Sequence, residues 1–181
     1  MSQFEEKQLG RTEIFDGTVL HVVKDKVLLP NGNESYREFC LHKGAAAVIP
    51  ITDDGEAILV RQFRYAHHRE FLEIPAGKLD HADELPLEAA KRELSEETGA
   101  TAERYTSLGI LDTTPALIDE RIHLYMAEGL SIGEKHLDID EFLSVVKYPL
   151  GTLVEMVMQG EICDAKTQVA ILKAARIKGI I

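Results

Sequence analysis

Hydrophobic and polar residues alternate along the first part of the chain. Between residues 9 and 40 the alternation is interrupted by Pro-Asn-Gly-Asn-Glu at 30–34. Because successive side chains of a strand point to opposite faces, this pattern predicts short strands joined by an Asn-Gly hairpin turn. From Gly44 to Ile51 the residues are almost all apolar, which indicates a strand buried on both faces.

From Leu85 onward the apolar spacing changes to the three- and four-residue steps of an α-helix. Gly99 follows this segment and is a natural C-terminal stop. Further strands are predicted at 106–112, 121–129 and 142–149, followed by two amphipathic helices. This order of elements predicts an α/β fold in which a mixed β-sheet carries helices on both sides.

The same pattern divides the chain after residue 43. Residues 1–43 predict a small separate antiparallel sheet, and residues 44–181 predict the α/β domain. A chain of 181 residues is long enough to bury the core of one domain with an appended element. No apolar run reaches the length of about 18 residues that a transmembrane helix needs, and the N-terminus is polar and acidic. We therefore expect a cytoplasmic protein.

The composition limits the classes of partner. A net charge of −11, from 20 basic and 31 acidic residues, argues against nucleic acid or an anionic membrane as a partner. A phosphorylated small molecule stays compatible if a metal ion supplies positive charge. Cys40 and Cys163 lack the spacing of a metal site, and we expect two reduced thiols that face the core.

Three glutamates crowd one side of the predicted helix. Glu93 and Glu97 are four residues apart, and Glu96 flanks them. Unpaired like charges at this spacing destabilise a helix by about 0.2–0.5 kcal/mol per pair. Either the helix exposes a solvated acidic stripe, or divalent cations bridge the carboxylates. Arg92 lies four residues after Glu88 and four before Glu96, so it adds a fixed cation that braces the carboxylates, and Ile-Pro-Ala-Gly at 74–77 would bring a backbone carbonyl nearby. Both features favour the metal site.

The acidic helix lies within a longer pattern, G-x5-E-x7-R-E-U-x-E-E-x-G-U, where U is aliphatic. Its matching residues here are Glu84, Arg92, Glu93, Leu94, Glu96, Glu97, Gly99 and Ala100. Six residues rather than five separate Gly77 from Glu84, so the loop holds one extra residue and Asp83 competes for the role of Glu84. With this motif the chain resembles the Nudix hydrolases, and the resemblance implies an α/β/α sandwich.

Beyond this motif, residues 36 to 170 resemble the ADP-ribose pyrophosphatase branch of the family. The segments that carry this resemblance are QFRY, EIPAGK, TTPALIDERIHLY and GEICDAKT. The branch implies a homodimer formed through the N-terminal strands, and cleavage of ADP-ribose to AMP and ribose 5-phosphate. The alternatives are a broad nucleoside diphosphate sugar hydrolase, acting on GDP-mannose or UDP-sugars, and a ligand sensor without turnover.

The resemblance also implies a site for two or three Mg²⁺ ions, with Mn²⁺ as a substitute. The implied ligands are the carbonyl of Ala76 and the carboxylates of Glu93, Glu96, Glu97 and Glu141. Glu93 and Glu97 are the main ligands, and Arg92 belongs to the catalytic set. Glu141 acts as a base or a metal ligand, with Asp138 and Asp140 as alternatives.

On the substrate side, the resemblance assigns Arg64 to the diphosphate, Lys78 to the lining of the site and Glu120 to the terminal ribose. Pro115 lies sixteen residues after Gly99, a spacing typical of the branch. The chain has no tryptophan to stack on adenine, so the aromatic candidates are Tyr36, Phe15 and Tyr65, for which core packing is the alternative. Glu73 either holds Arg92 or lines the site.

Overall fold

The computed structural model describes residues 2–81, 83–134 and 142–181. Its strands are β1 (Lys7–Asp16), β2 (His21–Leu28), β3 (Glu34–Leu41), β4 (Ala45–Pro50), β5 (Glu56–Arg64), β6 (Arg69–Glu73), β7 (Ala76–Lys78), β8 (Ala100–Asp112), β9 (Arg121–Ile132) and β10 (Leu143–Pro149). The helices are α1 (Pro86–Thr98), α2 (Leu150–Met158) and α3 (Ala165–Ile177), with a short 3-10 helix at Tyr65–His67. Within these residues, no helix is both long and apolar enough to cross a bilayer.

The chain forms two compact units, and the first contains the residues before Gly44 together with Asp112–Arg121. Strands β1, β2 and β3 form an antiparallel sheet in this order. The hairpin between β2 and β3 turns at Gly32, whose φ is +84° and whose N–H donates to the Leu29 carbonyl at 2.9 Å. The expected hairpin turn is therefore present.

The segment Asp112–Arg121 joins the first unit through backbone hydrogen bonds. Cys40 N donates to Leu117 O at 2.8 Å, and Asp119 N donates to Cys40 O at 3.2 Å. The hydrophobic pattern of the sequence does not predict that this segment joins the first unit, because the association depends on pairing between residues far apart in the chain. The domain boundary after residue 43 remains a prediction.

The second unit contains Gly44–Leu111 and Ile122–Ile181. One sheet has the strand order β10-β5-β6, and the other has the order β7-β4-β9-β8. Strand β4 is antiparallel to β7 and parallel to β9, so the second sheet is mixed. The mixed sheet expected from the order of elements is observed.

Strand β4 is buried on both faces, as its continuous apolar sequence indicated. Ala45, Ala47 and Ile49 point into a core that includes side chains of α2 and α3. Ala46 and Val48 point the other way, into a cluster with Ala89, Ala90 and Leu94 of α1. Helices therefore cover both sides of β4, and α1 is held directly against it.

Helix α1 begins and ends where the sequence indicated. Pro86 occupies the first turn, where its missing N–H costs nothing. Gly99 adopts a φ of +71° and its N–H donates to the Ser95 carbonyl, which terminates the helix. The helix register places Glu93 and Glu97 on its buried side.

Candidate active site

The two main acidic residues of α1 are buried. Glu93 is 8% exposed and Glu97 is 4% exposed, so the solvated acidic stripe is excluded as an account of this pair. A carboxylate this far from water is costly unless a cation or hydrogen-bond donors compensate it. Since the two residues lie one helical turn apart, their carboxylates share one face of α1.

Strand β7 brings the backbone of Gly77 against Glu93. The pairing of β7 with β4, Gly77 opposite Ala46, places this backbone beside α1. A Cβ added at Gly77 would lie 1.9 Å from Glu93 Oε1 and 2.2 Å from Glu93 Cδ. Only glycine leaves room for the Glu93 carboxylate in this position. Ala76 is the preceding residue of the same strand, so the predicted carbonyl ligand belongs to the element that contacts Glu93.

Arg92 connects the acidic residues of the motif. Its Nη1 donates to Glu93 Oε1 at 2.7 Å and to Glu96 Oε2 at 3.2 Å, while its Nη2 donates to the Lys78 carbonyl at 3.1 Å. The expected brace is present for Glu96. Glu88, four residues before Arg92, instead pairs with Lys91 at 2.8 Å.

The acid of the loop before α1 is Glu84. Its Oε2 accepts the N–H of Asp80 at 2.6 Å, and its Oε1 accepts Arg92 Nε at 3.3 Å. The N–H of Asp80 lowers the pKa of Glu84, burial opposes this effect, and Arg92 lowers the pKa further, so that the pKa lies below its ordinary value. Glu84 contacts Arg92, whereas Asp83 is exposed. The extra loop residue therefore leaves the contact between Glu84 and Arg92 intact.

The donor set fits a small divalent cation. Among the described residues, no three His, Cys, Asp or Glu side chains form a complete metal-binding group. Mg²⁺ does not require one, because it is commonly held by one or two carboxylates and completes its shell with water and substrate oxygens. Two buried carboxylates beside a strand backbone match this requirement. Glu96 is 41% exposed at its side chain and pairs with Arg92, and its role as a ligand remains a prediction.

A second group of charges lines a cleft of about 440 Å³ in the same unit. Arg64 donates to Glu73 through Nε at 2.7 Å and through Nη2 at 2.8 Å. Lys166 also donates to Glu73 and lies 3.0 Å from Asp164. Glu73 therefore holds Arg64 and lines this cleft. Of the two alternatives for Glu73, contact with Arg92 is not observed among the hydrogen bonds of the described residues.

Sequence reasoning noted the segment containing Asp164 and Lys166 but assigned no function to either residue. The available signal was a pair of opposite charges before an apolar helical period. It did not reveal the partner, because Glu73 and Lys166 are 93 residues apart.

Glu73 should make stability depend on pH. Burial alone would raise the pKa of Glu73, but hydrogen bonds from Arg64 and the charge of Lys166 lower it to about 2. A folded-state pKa below the unfolded value stabilises the fold above about pH 4.5, and this contribution is lost as the pH falls toward 2. We expect Glu73→Gln to lower the free energy of unfolding by roughly 3 kcal/mol at pH 7, and by progressively less below pH 4.5.

Urea unfolding of both proteins between pH 7 and pH 3 measures this difference. Glu70→Gln is the control, because Glu70 is exposed and lies 3.9 Å from Arg61. A difference between wild type and Glu73→Gln that stays constant with pH would contradict the assignment.

The remaining substrate candidates are distributed between the two units. Lys78 is exposed in β7 of the second unit. In the first unit, Glu120 Oε2 accepts Thr113 Oγ1 at 2.9 Å. Pro115 lines a cleft of about 470 Å³ in that unit, and Tyr36 is not among its lining residues.

The aromatic candidates are not core residues. The exposed fractions are 57% for Tyr36, 56% for Phe15 and 80% for Tyr65, so the core-packing alternative is wrong for all three. The Nζ of Lys24 lies 4.9 Å from the centroid of the Tyr36 ring. Contact of any of these rings with a base remains a prediction.

Two further sequence predictions have different outcomes. Glu141 and its alternatives Asp138 and Asp140 lie outside the described residues. Cys40 and Cys163 are both free thiols, but Cys163 is exposed. The expectation of two core-facing thiols is therefore wrong for Cys163, whose Sγ contacts the Gly160 carbonyl at the turn after α2.

The chain is similar to known proteins over most of its length. The NUDIX domain model matches residues 41–159. The chain is 43% identical over 173 residues to the ADP-ribose pyrophosphatase of Bacillus subtilis (strain 168), covering 94% of this chain and 93% of that one. It is 41% identical over 170 residues to the methanol dehydrogenase activator of Bacillus methanolicus, covering 93% and 91%.

A solved structure described as an ADP compounds hydrolase superposes with a TM-score of 0.85. It covers 99% of this chain and 98% of its own at 23% identity, which shows a shared fold. The chain belongs to the Nudix hydrolase family. Its Nudix fold with a mixed sheet and an N-terminal antiparallel sheet is confirmed, and enzymes of this kind generally depend on divalent metal ions.

Proposed function

We propose that this hydrolase cleaves the diphosphate of ADP-ribose to AMP and ribose 5-phosphate. The observation that carries the chemistry is the buried pair of Glu93 and Glu97, of which Glu93 packs against Gly77 and accepts a hydrogen bond from Arg92. The choice of ADP-ribose is supported by the relative of that name, which is similar over nearly the whole length of both chains.

The proposed cofactor is Mg²⁺, in two or three ions, with Mn²⁺ as a substitute. Glu93, Glu97 and the carbonyl of Ala76 would hold it, with Glu96 and Glu141 as further ligands. When bound, the ions supply positive charge toward the diphosphate and make water more acidic.

The protein's own residues bind the substrate and move the proton. Arg64 binds phosphoryl oxygens, since the hydrogen bonds that it makes to described residues use only Nε and Nη2. Glu141 orients a water molecule and takes its proton as the oxygen attacks one phosphorus. The bond from that phosphorus to the bridging oxygen breaks, and the bridging oxygen leaves with the other phosphate. Arg92 keeps Glu93 in place throughout.

Other residues bind the two ends of the substrate in this proposal. Lys78 lines the site beside the motif, and Glu120 contacts the terminal ribose. Tyr36 and Pro115 are the residues proposed to contact the base. Contact through one exposed tyrosine ring gives less selection of the base than enclosure between two rings would.

A substrate panel tests the proposal. Turnover of ADP-ribose, GDP-mannose, UDP-glucose and diadenosine polyphosphates is followed with Mg²⁺ and with EDTA. We expect Mg²⁺-dependent preference for ADP-ribose. Comparable rates with all nucleotide sugars would replace it with a broad nucleoside diphosphate sugar hydrolase, and absence of turnover would favour the ligand sensor.

We also propose that residues 1–43 mediate a homodimer. Strand β1 is exposed along its whole length and carries Leu9, Ile14 and Phe15 at 45–56% exposure. An exposed strand with apolar side chains is suited to pairing with another chain. Sedimentation velocity measures the mass in solution, and a monomer at micromolar concentration would contradict this proposal.

A further inference from the structure

The segment Gly-Glu-Ile-Cys-Asp-Ala-Lys-Thr at 160–167 runs from the turn after α2 into the first turn of α3 and has no role in the reaction proposed above. Asp164 caps α3 by accepting the N–H of Thr167 at 2.9 Å. Thr167 is fully buried, and its Oγ1 accepts the N–H of Ile74 at 3.0 Å. The first turn of α3 is therefore fixed to the residue that directly follows Glu73.

This anchoring places Lys166 between two carboxylates. The Lys166 side chain is 11% exposed and contacts both Glu73 and Asp164. Glu73 is 2% exposed, and it accepts Arg64 at both oxygens and Lys166 at one of them. A buried carboxylate with three charged hydrogen bonds has little freedom to rotate.

We propose that Lys166 and Glu73 are positioning residues that fix the guanidinium of Arg64 for contact with the substrate diphosphate. This inference depends on the proposed function only for the contact between Arg64 and phosphate. Lys166 restricts the orientation of the Glu73 carboxylate, and Glu73 in turn restricts the orientation of the Arg64 guanidinium plane.

The exposure of Arg64 gives a physical reason why its orientation needs to be fixed. An arginine has several rotatable bonds, and its side chain here is 43% exposed, so without a partner it would sample many rotamers. The two parallel hydrogen bonds to Glu73 select one orientation, the arrangement that makes an arginine fork specific. Lys166 contacts both Glu73 and Asp164, so the charges of this group balance, and the role of Lys166 is to hold Glu73 in place rather than to add positive charge.

A double-mutant cycle tests whether Lys166 acts through Arg64. Lys166→Met, Arg64→Ala and the double variant are assayed with whichever nucleotide sugar the wild type hydrolyses fastest. We expect Lys166→Met to lower kcat/KM roughly tenfold alone and by less than about twofold in the Arg64→Ala background. Lys166→Arg, which keeps the charge, should recover part of the loss. If the two single effects multiply, Lys166 acts independently and the proposal is wrong.

The matched control is Lys178→Met. Lys178 forms an ion pair with Glu128 at 2.9 Å in the same unit and does not line the cleft. Its replacement should leave kcat/KM unchanged. A loss equal to that of Lys166→Met would show that any broken lysine–glutamate pair has this effect, which also contradicts the proposal.

A measurement without turnover separates this inference from the proposed function. In ¹⁵N NMR, the Nε–H of Arg64 is identified by its absence in Arg64→Ala and should exchange slowly with water, since it donates to buried Glu73. We expect faster exchange in Lys166→Met. Unchanged exchange overturns the positioning role even if ADP-ribose is the substrate. Slow wild-type exchange that Lys166→Met accelerates supports the role even if the substrate panel rejects ADP-ribose.

Discussion

Glu97→Gln is expected to lower kcat by about 10²- to 10⁴-fold while the protein stays folded. A bound metal ion contributes several kcal/mol of charge stabilisation in the transition state, and each 1.36 kcal/mol is a factor of ten in rate. Glu97 is 4% exposed, and glutamine keeps its size but carries no charge for the ion. The measurement is kcat with ADP-ribose at saturating Mg²⁺.

The loss of metal binding predicted for Glu97→Gln can be measured separately from turnover, by thermal unfolding. Removal of one of two nearby buried carboxylates lowers their mutual repulsion, so the variant without metal should be at least as stable as the wild type. Mg²⁺ should raise the melting temperature of the wild type through binding to the folded state, and this increase should be absent in Glu97→Gln.

The matched control is Glu88→Gln. Glu88 lies on the same helix, is exposed and pairs with Lys91, so its replacement should leave turnover and the Mg²⁺ effect unchanged. Near wild-type turnover in Glu97→Gln would remove Glu97 from the metal site.

The residues of α1 and its flanks could be predicted because their relations are local. A helix register relates Glu93, Glu96 and Glu97 by angle alone, and Gly99 ends the helix by its own conformational preference. Local spacing also gave the brace between Arg92 and Glu96. Local spacing did not show that Glu88 pairs with Lys91, three residues away, rather than with Arg92.

The remainder of the site depends on tertiary pairing, which no local period encodes. Glu73 was expected either to hold Arg92 or to line the site, and it holds Arg64 in the cleft because β5 and β6 are neighbours. The contribution of Lys166 requires α3 to begin beside Ile74, 93 residues from Thr167. The burial of Glu93 could not be predicted from the sequence either, because a run of glutamates is typical of a solvated surface. Glu93 is removed from water by the packing of α1 on β4 and β7.

The close packing of Gly77 against Glu93 predicts a second large effect on activity. Gly77→Ala should lower kcat/KM about 100-fold, because an error of about 1 Å in the position of a catalytic group can have this consequence. The new Cβ would lie 1.9 Å from Glu93 Oε1, so the carboxylate must leave its place and its 2.7 Å contact with Arg92. Gly77 is not among the glycines with positive φ, so alanine introduces no backbone strain there.

Steady-state kinetics and thermal unfolding distinguish displacement of Glu93 from loss of the fold. Because the displaced group is the end of a side chain, we expect stability to fall by only about 1 kcal/mol, while the stabilising effect of Mg²⁺ is lost. Gly151→Ala is the matched control: its Cβ would meet Ile180 Cγ2 at 3.8 Å, an ordinary contact, and alanine is favourable within α2. Full activity in Gly77→Ala would show that Glu93 can move away without consequence, and Glu93 would then not be a main metal ligand.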